Sequence, residues 1–263
     1  MSPLPLILYA LAGLCTLFGM FYLLARRMDN YGIVDIVWSY SFAALVLYYG
    51  LFGGGWIVRK ALIATMAMLW SLRLGTHLYR RVISHHPVED GRYVQLRKDW
   101  AGNFAPKMFG FFQMQAGSVV LLGAGFFIIC LNSDARLHPL EIAGAVLWLF
   151  ALTGEAISDA QLSAFKRVKE NKGRVCDVGL WHHSRHPNYF FEWLTWLGYT
   201  VIALPAPFGI LGLSAPALIL FFLLRLTGIP ATEEHALRSR KDYRRYQETT
   251  SAFVPWFKKT STR

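Results

Sequence analysis

Long apolar stretches separated by polar loops are the feature of this sequence that most constrains its fold. A helix needs about 20 apolar residues to cross the hydrocarbon core of a membrane. Hydrophobic residues make up 54% of the 263 residues and charged residues only 16%, a balance typical of membrane proteins. The sequence therefore predicts an all-α integral membrane protein with seven transmembrane helices. The predicted spans are 4–25, 33–52, 56–79, 108–131, 140–164, 189–204 and 208–229.

The distribution of lysine and arginine predicts how these spans are oriented. Twenty-two of the 27 basic residues lie in the segments that follow spans one, three, five and seven. Only Arg59, Lys60 and Arg136 lie on the opposite side. Because loops rich in lysine and arginine stay in the cytosol, we expect the N-terminus outside and the C-terminus in the cytosol.

The net charge of +11 indicates which ligands this protein attracts. In a membrane protein such an excess attracts anionic lipid and phosphate-bearing ligands. A nucleic-acid partner is not favoured, because the basic residues are spread over short loops. The three cysteines, Cys15, Cys130 and Cys176, show neither metal-binding nor disulfide spacing, so no metal site is predicted.

The segment from Gly179 to Glu192, GLWHHSRHPNYFFE, places polar and ionisable side chains at the start of the sixth span. Pro187 suits the first turn of a helix, where its missing N–H is no loss. Asn188 and Glu192 then share one face of that helix at a spacing of four. An ionisable group one turn inside a membrane helix is a candidate functional residue. The alternative is a membrane-interface anchor, which needs the basic and aromatic residues but not Asn188 or Glu192.

Other spans carry polar residues near the same predicted side of the membrane. They are Asp35 and Ser39 in span two, Arg73 and His77 in span three, and Glu155 and Asp159 in span five, each pair four residues apart. We expect most of these residues to converge on one cavity that opens to the cytosol. For Asp35, capping the helix or reaching to the membrane surface is an alternative to a catalytic role. The charged loop that follows span three is long enough to be folded and to bind a ligand.

Clustered arginine, lysine and histidine suit phosphate or pyrophosphate, and Asn188 with Asp159 suits a ribose or an amide. No GxGxxG motif follows a strand, which excludes a Rossmann site, so helices and loops of a membrane bundle would hold any nucleotide. For an individual loop arginine, a solvated charge belt that attracts anionic lipid is an alternative explanation.

Four stretches together resemble the bacterial branch of the steroid 5-alpha-reductase family, over about residues 35–255. They are the Gly179–Glu192 segment, LWSLRLGTH at 69–77, EDGRY at 89–93, and EEHAL, YRRY and FVP between 233 and 255. A similar Arg-His-Pro-x-Tyr pattern followed by a Glu-Glu pair also occurs in integral-membrane isoprenylcysteine and phospholipid methyltransferases. The C-terminal third therefore indicates a site for an adenine-containing cofactor, and the N-terminal half selects the chemistry.

The resemblance implies an NADPH-dependent enzyme that reduces the C4–C5 double bond of a 3-oxo-Δ4 steroid or similar lipid enone by hydride transfer. It implies one membrane domain over 1–263, with the substrate side in 1–131 and the cofactor side, including a C-terminal amphipathic helix from 232 to 246, in 132–263. A bacterial inner membrane is favoured over the endoplasmic reticulum, with lipids and no protein as partners. The alternative function is S-adenosylmethionine-dependent methylation of a lipid or isoprenylcysteine; a non-enzymatic lipid-binding scaffold is the third.

The resemblance also assigns residues to roles. Matching positions imply that Asp159, Asn188, Glu192 and His235 contact the cofactor. The other predicted cofactor contacts are Arg73, His77, Arg92, Tyr93, Arg97, Lys166, Arg185, His186, Tyr189, Arg240 and Tyr246. Hydride delivery to an enone builds negative charge on the carbonyl oxygen, which requires a hydrogen-bond donor there. Animal steroid reductases use a glutamate in the second helix and a tyrosine in the third. The predicted catalytic residues here are Asp35, Trp38, Ser39 and Tyr79.

Overall fold

The fold is helical throughout the part of the chain that the structure, a computed structural model, describes. It describes residues 2–226 and 228–259, and it forms no β-strand within them. Among these described residues, five helical stretches are long and apolar enough to cross a membrane. They are Pro3–Met28, Ile33–Phe52, Ala101–Leu131, Pro139–Arg167 and Gly209–Ser239. The protein is therefore an all-α membrane protein, as the hydropathy pattern predicts.

Contacts between Cα atoms divide the chain into two compact units. Unit one comprises Met1–Leu137 and Ala206–Leu211, and unit two comprises His138–Pro205 and Gly212–Arg263. The helices of unit one are α1 (Pro3–Met28), α2 (Ile33–Phe52), α3 (Ile57–His85), α4 (Gly91–Asp99), α5 (Phe104–Leu122) and α6 (Ala124–Leu131). Those of unit two are α7 (Pro139–Arg167), α8 (Leu180–His183), α9 (Pro187–Ala203), α10 (Ser214–Phe221), α11 (Ile229–Ser239) and α12 (Tyr243–Thr249).

Two predicted spans are helical but fall short of the length or apolarity expected of a membrane-crossing helix. α3 has 29 residues, enough to cross, but it carries Arg59, Lys60 and Arg73. α9 has 17 residues, which at about 1.5 Å per residue is slightly less than the thickness of the hydrocarbon core. Charge in one case and length in the other separate these helices from the five clear candidates.

The region predicted as span seven and the C-terminal helix is more broken than the sequence pattern indicates. A 3₁₀ turn at Gly209–Leu213 precedes α10, and a π-helical turn at Phe222–Leu226 follows it. The amphipathic helix expected from 232 to 246 is two helices, α11 and α12. Arg240 lies between them in an extended conformation and ends α11.

Unit one is organised around α1 and α2, which pack on α5 and α3 respectively. α1 buries one stripe of side chains at a spacing of four: Leu6, Ala10, Leu14, Phe18 and Tyr22. Its remaining faces are apolar and exposed, with Leu4, Leu8 and Leu23 among them. A helix that is hydrophobic all round but buried on one stripe only is typical of a span that faces lipid.

Arg59, near the start of α3, is buried and holds the connection that follows α6. It is 1% exposed, and its guanidinium group donates to three backbone carbonyls. The acceptors are those of Asn132 at 3.0 Å, Asp134 at 2.6 Å and Arg136 at 2.7 Å. The connection that follows α6 is therefore held in place by a buried charge.

Unit two is built on the contact between α7 and α9, which is the most extensive between any two helices. The two backbones approach closely where glycines face each other. A Cβ on Gly144 would lie 2.8 Å from the carbonyl oxygen of Gly198 and 2.9 Å from the backbone nitrogen of Ile202. Small residues at such contacts are how membrane helices gain packing energy, because lipid already solvates large apolar side chains.

Candidate functional site

Asp35 in unit one is the centre of an ion-pair cluster between α2 and the loop after α3. Its Oδ2 accepts a hydrogen bond from Arg92 Nη2 at 2.7 Å, and its Oδ1 accepts one from the Tyr93 hydroxyl at 2.8 Å. Arg81 lies 3.7 Å from the same carboxylate, and Asp90 pairs with Arg92 Nε at 3.1 Å. Both oxygens of Asp35 are thus engaged by side chains of unit one. The side chain of Asp35 therefore does not cap α2, and it forms ion pairs and a hydrogen bond within unit one.

Tyr93 is a hydrogen-bond donor in this Asp35 cluster. Burial and the Asp35 carboxylate raise the pKa of Tyr93 well above its ordinary value, while Arg92 opposes the shift. The phenol therefore keeps its proton at neutral pH and donates a hydrogen bond to the Asp35 carboxylate.

The other predicted catalytic residues have separate surroundings. Trp38 Nε1 donates to Ser118 Oγ at 2.9 Å, and Ser39 is buried with its hydroxyl bonded to the backbone carbonyl of Asp35. Tyr79 is 49% exposed on α3. The structure therefore places three of the four side chains on one helix and leaves only Tyr79 at the surface.

The loop after α3 is folded, as predicted, and Arg97 holds it to the turn that precedes α2. Arg97 donates to Glu89 Oε2 and to Asp29 Oδ1, each at 2.7 Å. Its guanidinium group also lies over the Tyr31 ring at 4.8 Å and the Phe104 ring at 5.2 Å. Arg97 and Arg92, both predicted to hold phosphates, thus have carboxylate partners within the protein. In α3, Arg73 is partly buried and His77 is exposed.

A second buried network, the Glu233 cluster, joins the start of α9 to α11 and α12 in unit two. It consists of Arg185, His186, Glu233, Tyr243 and Gln247. Glu233 Oε1 faces Arg185 Nε at 2.6 Å and His186 Nε2 at 3.2 Å, and Gln247 donates to Oε2 at 2.7 Å. The side chains of Arg185, His186 and Glu233 are 11%, 3% and 13% exposed, so the cluster is well shielded from water.

Arg185 has further acceptors that secure α12. Its Nη1 donates to the carbonyls of Gln247 at 2.8 Å and Thr250 at 2.6 Å. Tyr246 donates to the carbonyls of Trp181 and Ser184. Arg185 and Tyr246 were predicted to contact a cofactor, yet their donors are used inside the protein. Glu233 was not among the predicted site residues, although the Glu-Glu pair at 233–234 was the signal that could have identified it.

Asn188, in the first turn of α9, presents an unpaired acceptor. Its Nδ2 donates to Asp159 Oδ1 at 3.4 Å, and this contact fixes the amide orientation because a carboxylate only accepts. Its Oδ1 is buried and has no hydrogen-bond donor among the residues described. Glu155 lies one turn before Asp159 and is 3% exposed, and Glu192 lies one turn after Asn188 and is partly buried. Asp159 and Asn188, which the sequence suggested as a pair suited to a ribose or an amide, thus contact each other.

The remaining predicted cofactor residues of unit two have several different surroundings. The His186 ring stacks on Tyr189 at 5.3 Å with the planes 6° apart, and the Tyr189 hydroxyl lies 3.2 Å from that of Thr232. His235 is exposed on α11. Lys166 and Arg240 line a cavity of about 570 Å³ at the end of α7. Within residues 2–226 and 228–259, no group of histidine, cysteine, aspartate or glutamate side chains is arranged to hold a metal ion.

The sequence of this chain matches a known protein family. A sequence model of the family described as "Protein of unknown function (DUF1295)" matches residues 21–250. The chain belongs to this family. The DUF1295 match includes the Asp35 cluster, the Asp159–Asn188 pair and the Glu233 cluster.

A more distant relative comes from a eukaryote. An uncharacterized protein of Schizosaccharomyces pombe is 25% identical over 256 aligned residues, which cover 86% of this chain and 73% of the relative. No solved structure matches the chain. The family and the relative therefore extend across both units without assigning them a chemistry.

Acidification is expected to destabilise unit two through His186. Burial lowers the pKa of His186, and its hydrogen bond to Glu233 opposes this shift. The unfolded chain then binds a proton more readily than the folded one, so stability is complete above the ordinary histidine pKa of about 6.5 and declines as the pH falls through it. Melting temperatures of the detergent-solubilised protein measured at about pH 7.5 and about pH 5.5 test this, since one pH lies above and the other below the ordinary histidine pKa.

The variant His186→Gln should reduce the difference between the two melting temperatures. His235→Gln is the matched control, because His235 is exposed in the same unit and should leave the difference unchanged. Equal pH dependence in wild type and His186→Gln would contradict the role given to His186.

Proposed function

We propose that this protein is an NADPH-dependent membrane reductase that reduces the C4–C5 double bond of a 3-oxo-Δ4 steroid or a similar lipid enone. The observation that carries the proposal is the buried Oδ1 of Asn188, at the centre of the motif that resembles the steroid 5-alpha-reductase family. A buried acceptor without a donor costs about 1–3 kcal/mol. A ligand N–H, such as that of the nicotinamide carboxamide or the adenine amine, would remove this cost.

The residues around Asn188 fit the polar, uncharged parts of such a cofactor. Asp159 is an acceptor beside the Asn188 amide, and Glu155 and Glu192 lie one turn away along α7 and α9. Carboxylates accept hydrogen bonds from amide and ribose donors and repel phosphates. Asn188 and Asp159 are therefore proposed to hold an amide or a ribose, with the phosphates farther away. NADPH, when bound, supplies the hydride.

Reduction of an enone also needs a hydrogen-bond donor at the carbonyl oxygen, where negative charge develops. Among the predicted catalytic residues, the polar groups of Asp35, Trp38 and Ser39 are bonded within unit one. The Tyr79 side chain is exposed, so its hydroxyl is the proposed donor. Asp35 then acts as a positioning residue, because it holds Arg92 and Tyr93 in the loop after α3.

We also propose that the protein crosses a bacterial inner membrane seven times. Its N-terminus would then lie outside and its C-terminus in the cytosol. α9 packs along α7, and α3 packs along α2. The short span and the charged span thus each lie beside a helix that is long and apolar enough to cross. The excess of lysine and arginine in the segments after spans one, three, five and seven supports the orientation.

A second candidate is an S-adenosylmethionine-dependent methyltransferase that acts on a lipid or an isoprenylcysteine. The same carboxylates favour it, because Glu155, Asp159 and Glu192 would attract the sulfonium and ammonium groups of that cofactor. The Arg-His-Pro-x-Tyr pattern supports it as well. The two candidates differ in the cofactor that fills the site, which makes them separable by binding.

The test is binding and turnover with the purified, detergent-solubilised protein. NADPH is expected to raise the melting temperature, whereas S-adenosylmethionine is not. NADPH absorbance is then expected to fall only when a 3-oxo-Δ4 steroid or another lipid enone is added. Stabilisation by S-adenosylmethionine alone would favour the methyltransferase, and no turnover across a panel of enones would reject the reductase.

Asn188→Ala should weaken NADPH binding by up to about tenfold, the equivalent of one lost hydrogen bond. The melting temperature without cofactor should stay near the wild-type value, because the variant also removes a buried acceptor that has no donor. Asn103→Ala, at an exposed residue of unit one, is the matched control for loss of an amide. Wild-type NADPH affinity in Asn188→Ala would reject the site.

A further inference from the structure

Basic residues line much of the cavity at the end of α7. Its volume is about 570 Å³. Its charged lining residues are Lys166, Lys169, Lys172, Arg174 and Arg240, and no carboxylate is among the described residues that line it. Five positive charges around one cavity create a positive potential that attracts an anion. Phosphate is an anion that lysine and arginine side chains bind well.

The basic residues of this cavity differ in their partners from the arginines of the Asp35 and Glu233 clusters. The arginines of the Asp35 and Glu233 clusters face carboxylates at 2.6–3.7 Å. The ion pairs formed between residues that the structure describes include none with Lys169, Lys172 or Arg174. Arg240 lies over the Tyr243 ring at 5.9 Å. A bound phosphate would offset the mutual repulsion of these groups.

Apolar residues also line the cavity. They are Leu162, Phe165 and Val168, and Val168 is 47% exposed. These residues belong to the last turns of α7 and the residue after it, where a helix apolar enough to cross the membrane ends. That level corresponds to the lipid headgroups, where basic side chains meet anionic lipid. A ligand that combines a phosphate with an apolar tail therefore matches both the basic and the apolar lining residues.

We infer that this cavity binds the phosphate headgroup of an anionic phospholipid. Lys169, Lys172 and Arg174 contact the phosphate, and Leu162, Phe165 and Val168 contact the glycerol and the first carbons of the acyl chains. The site does not depend on the proposed reductase activity. It would anchor the end of α7 to one leaflet and favour membranes that contain acidic lipid.

The experiment measures binding of dioctanoyl phosphatidic acid to the purified full-length protein by native mass spectrometry in detergent. Dioctanoyl phosphatidylcholine, which has no net charge, is the lipid control and should bind much more weakly. Each basic residue near a membrane surface contributes about fivefold to the binding of acidic lipid, so Lys169→Ala/Lys172→Ala should weaken binding about 25-fold. Lys169→Arg/Lys172→Arg should retain it.

Arg244→Ala/Arg245→Ala is the matched control, because it removes two charges from exposed positions of the same unit that do not line the cavity. Equal losses in the two alanine pairs would overturn the inference, since they would indicate general surface charge. Equal binding of the two lipids by the wild-type protein would also overturn it, and that comparison does not depend on any variant folding.

Inorganic phosphate and NADPH distinguish the source of the phosphate. Neither should displace phosphatidic acid from the wild-type protein if the site is built for a lipid. Displacement by NADPH would overturn the lipid assignment in favour of the nucleotide. Displacement by inorganic phosphate at similar concentration would also overturn it, because the apolar lining residues would then contribute nothing to binding.

Discussion

Glu233→Ala is expected to destabilise unit two by about 3–5 kcal/mol, the usual result of removing one partner from a buried ion pair. Arg185 would remain 11% exposed with its charge uncompensated, and His186 would lose its acceptor. Gln247 would also lose the carboxylate oxygen to which it donates. The free energy of unfolding in detergent, or the melting temperature, measures the effect.

Glu234→Ala provides a close control for this variant. Glu234 is 65% exposed, and its pair with Arg238 lies at the surface, where such a pair contributes at most about 1 kcal/mol. Glu233→Gln should lie between the two variants, because an amide oxygen can still accept from Arg185. Similar stability of Glu233→Ala and Glu234→Ala would show that the Glu233 cluster does not hold α11 and α12 to the start of α9.

Gly144→Ala is expected to lower stability by up to about 3 kcal/mol, the upper part of the range for overpacked cores. The added methyl group would lie 2.8 Å from the Gly198 carbonyl and 2.9 Å from the Ile202 nitrogen. Neither atom can turn away as a side chain can, so α9 must shift as a body. Because Asn188 is on the same helix, its contact with Asp159 should weaken, and NADPH affinity should fall along with the melting temperature.

Gly117→Ala in α5 is the control for this change. A Cβ there meets no atom within 4 Å. Replacing glycine by alanine within a helix usually raises the free energy of unfolding, by at most about 1 kcal/mol. Gly117→Ala should therefore be neutral or stabilising. A Gly144→Ala protein as stable as Gly117→Ala would contradict the close approach of α7 and α9.

The sequence predicts the helices of this protein well, because apolar runs that must avoid water are also the runs that form helices in lipid. All seven predicted spans contain helix in the structure. The departures occur where local geometry matters: Gly123 separates α5 from α6, a π-helical turn precedes α11, and Arg240 ends that helix. Hydropathy reports how apolar a stretch is, and it does not report where its backbone bends.

Within the candidate site, the sequence indicates which polar side chains share a face of one helix and does not indicate which distant groups they meet. Asn188 and Asp159 were both expected at a ribose or an amide, and in the structure they contact each other. Arg92 and Arg97 were predicted, from the resemblance, to contact the cofactor. In the structure each of them pairs with a carboxylate of its own loop, Asp90 or Glu89, and also with a distant one. The distant partners, Asp35 and Asp29, lie 57 and 68 residues away in the chain, and a distance along the sequence carries no sign of such pairing.

The three carbonyls that hold Arg59 also constrain the order in which unit one can be assembled. They belong to Asn132, Asp134 and Arg136, which are synthesised more than 70 residues after Arg59 itself. Until that connection leaves the ribosome, these acceptors are absent, and a charged guanidinium group is costly to bury without acceptors. α3 must therefore wait at the membrane surface or keep Arg59 hydrated, and the arrival of residues 132–136 becomes the step that completes the unit.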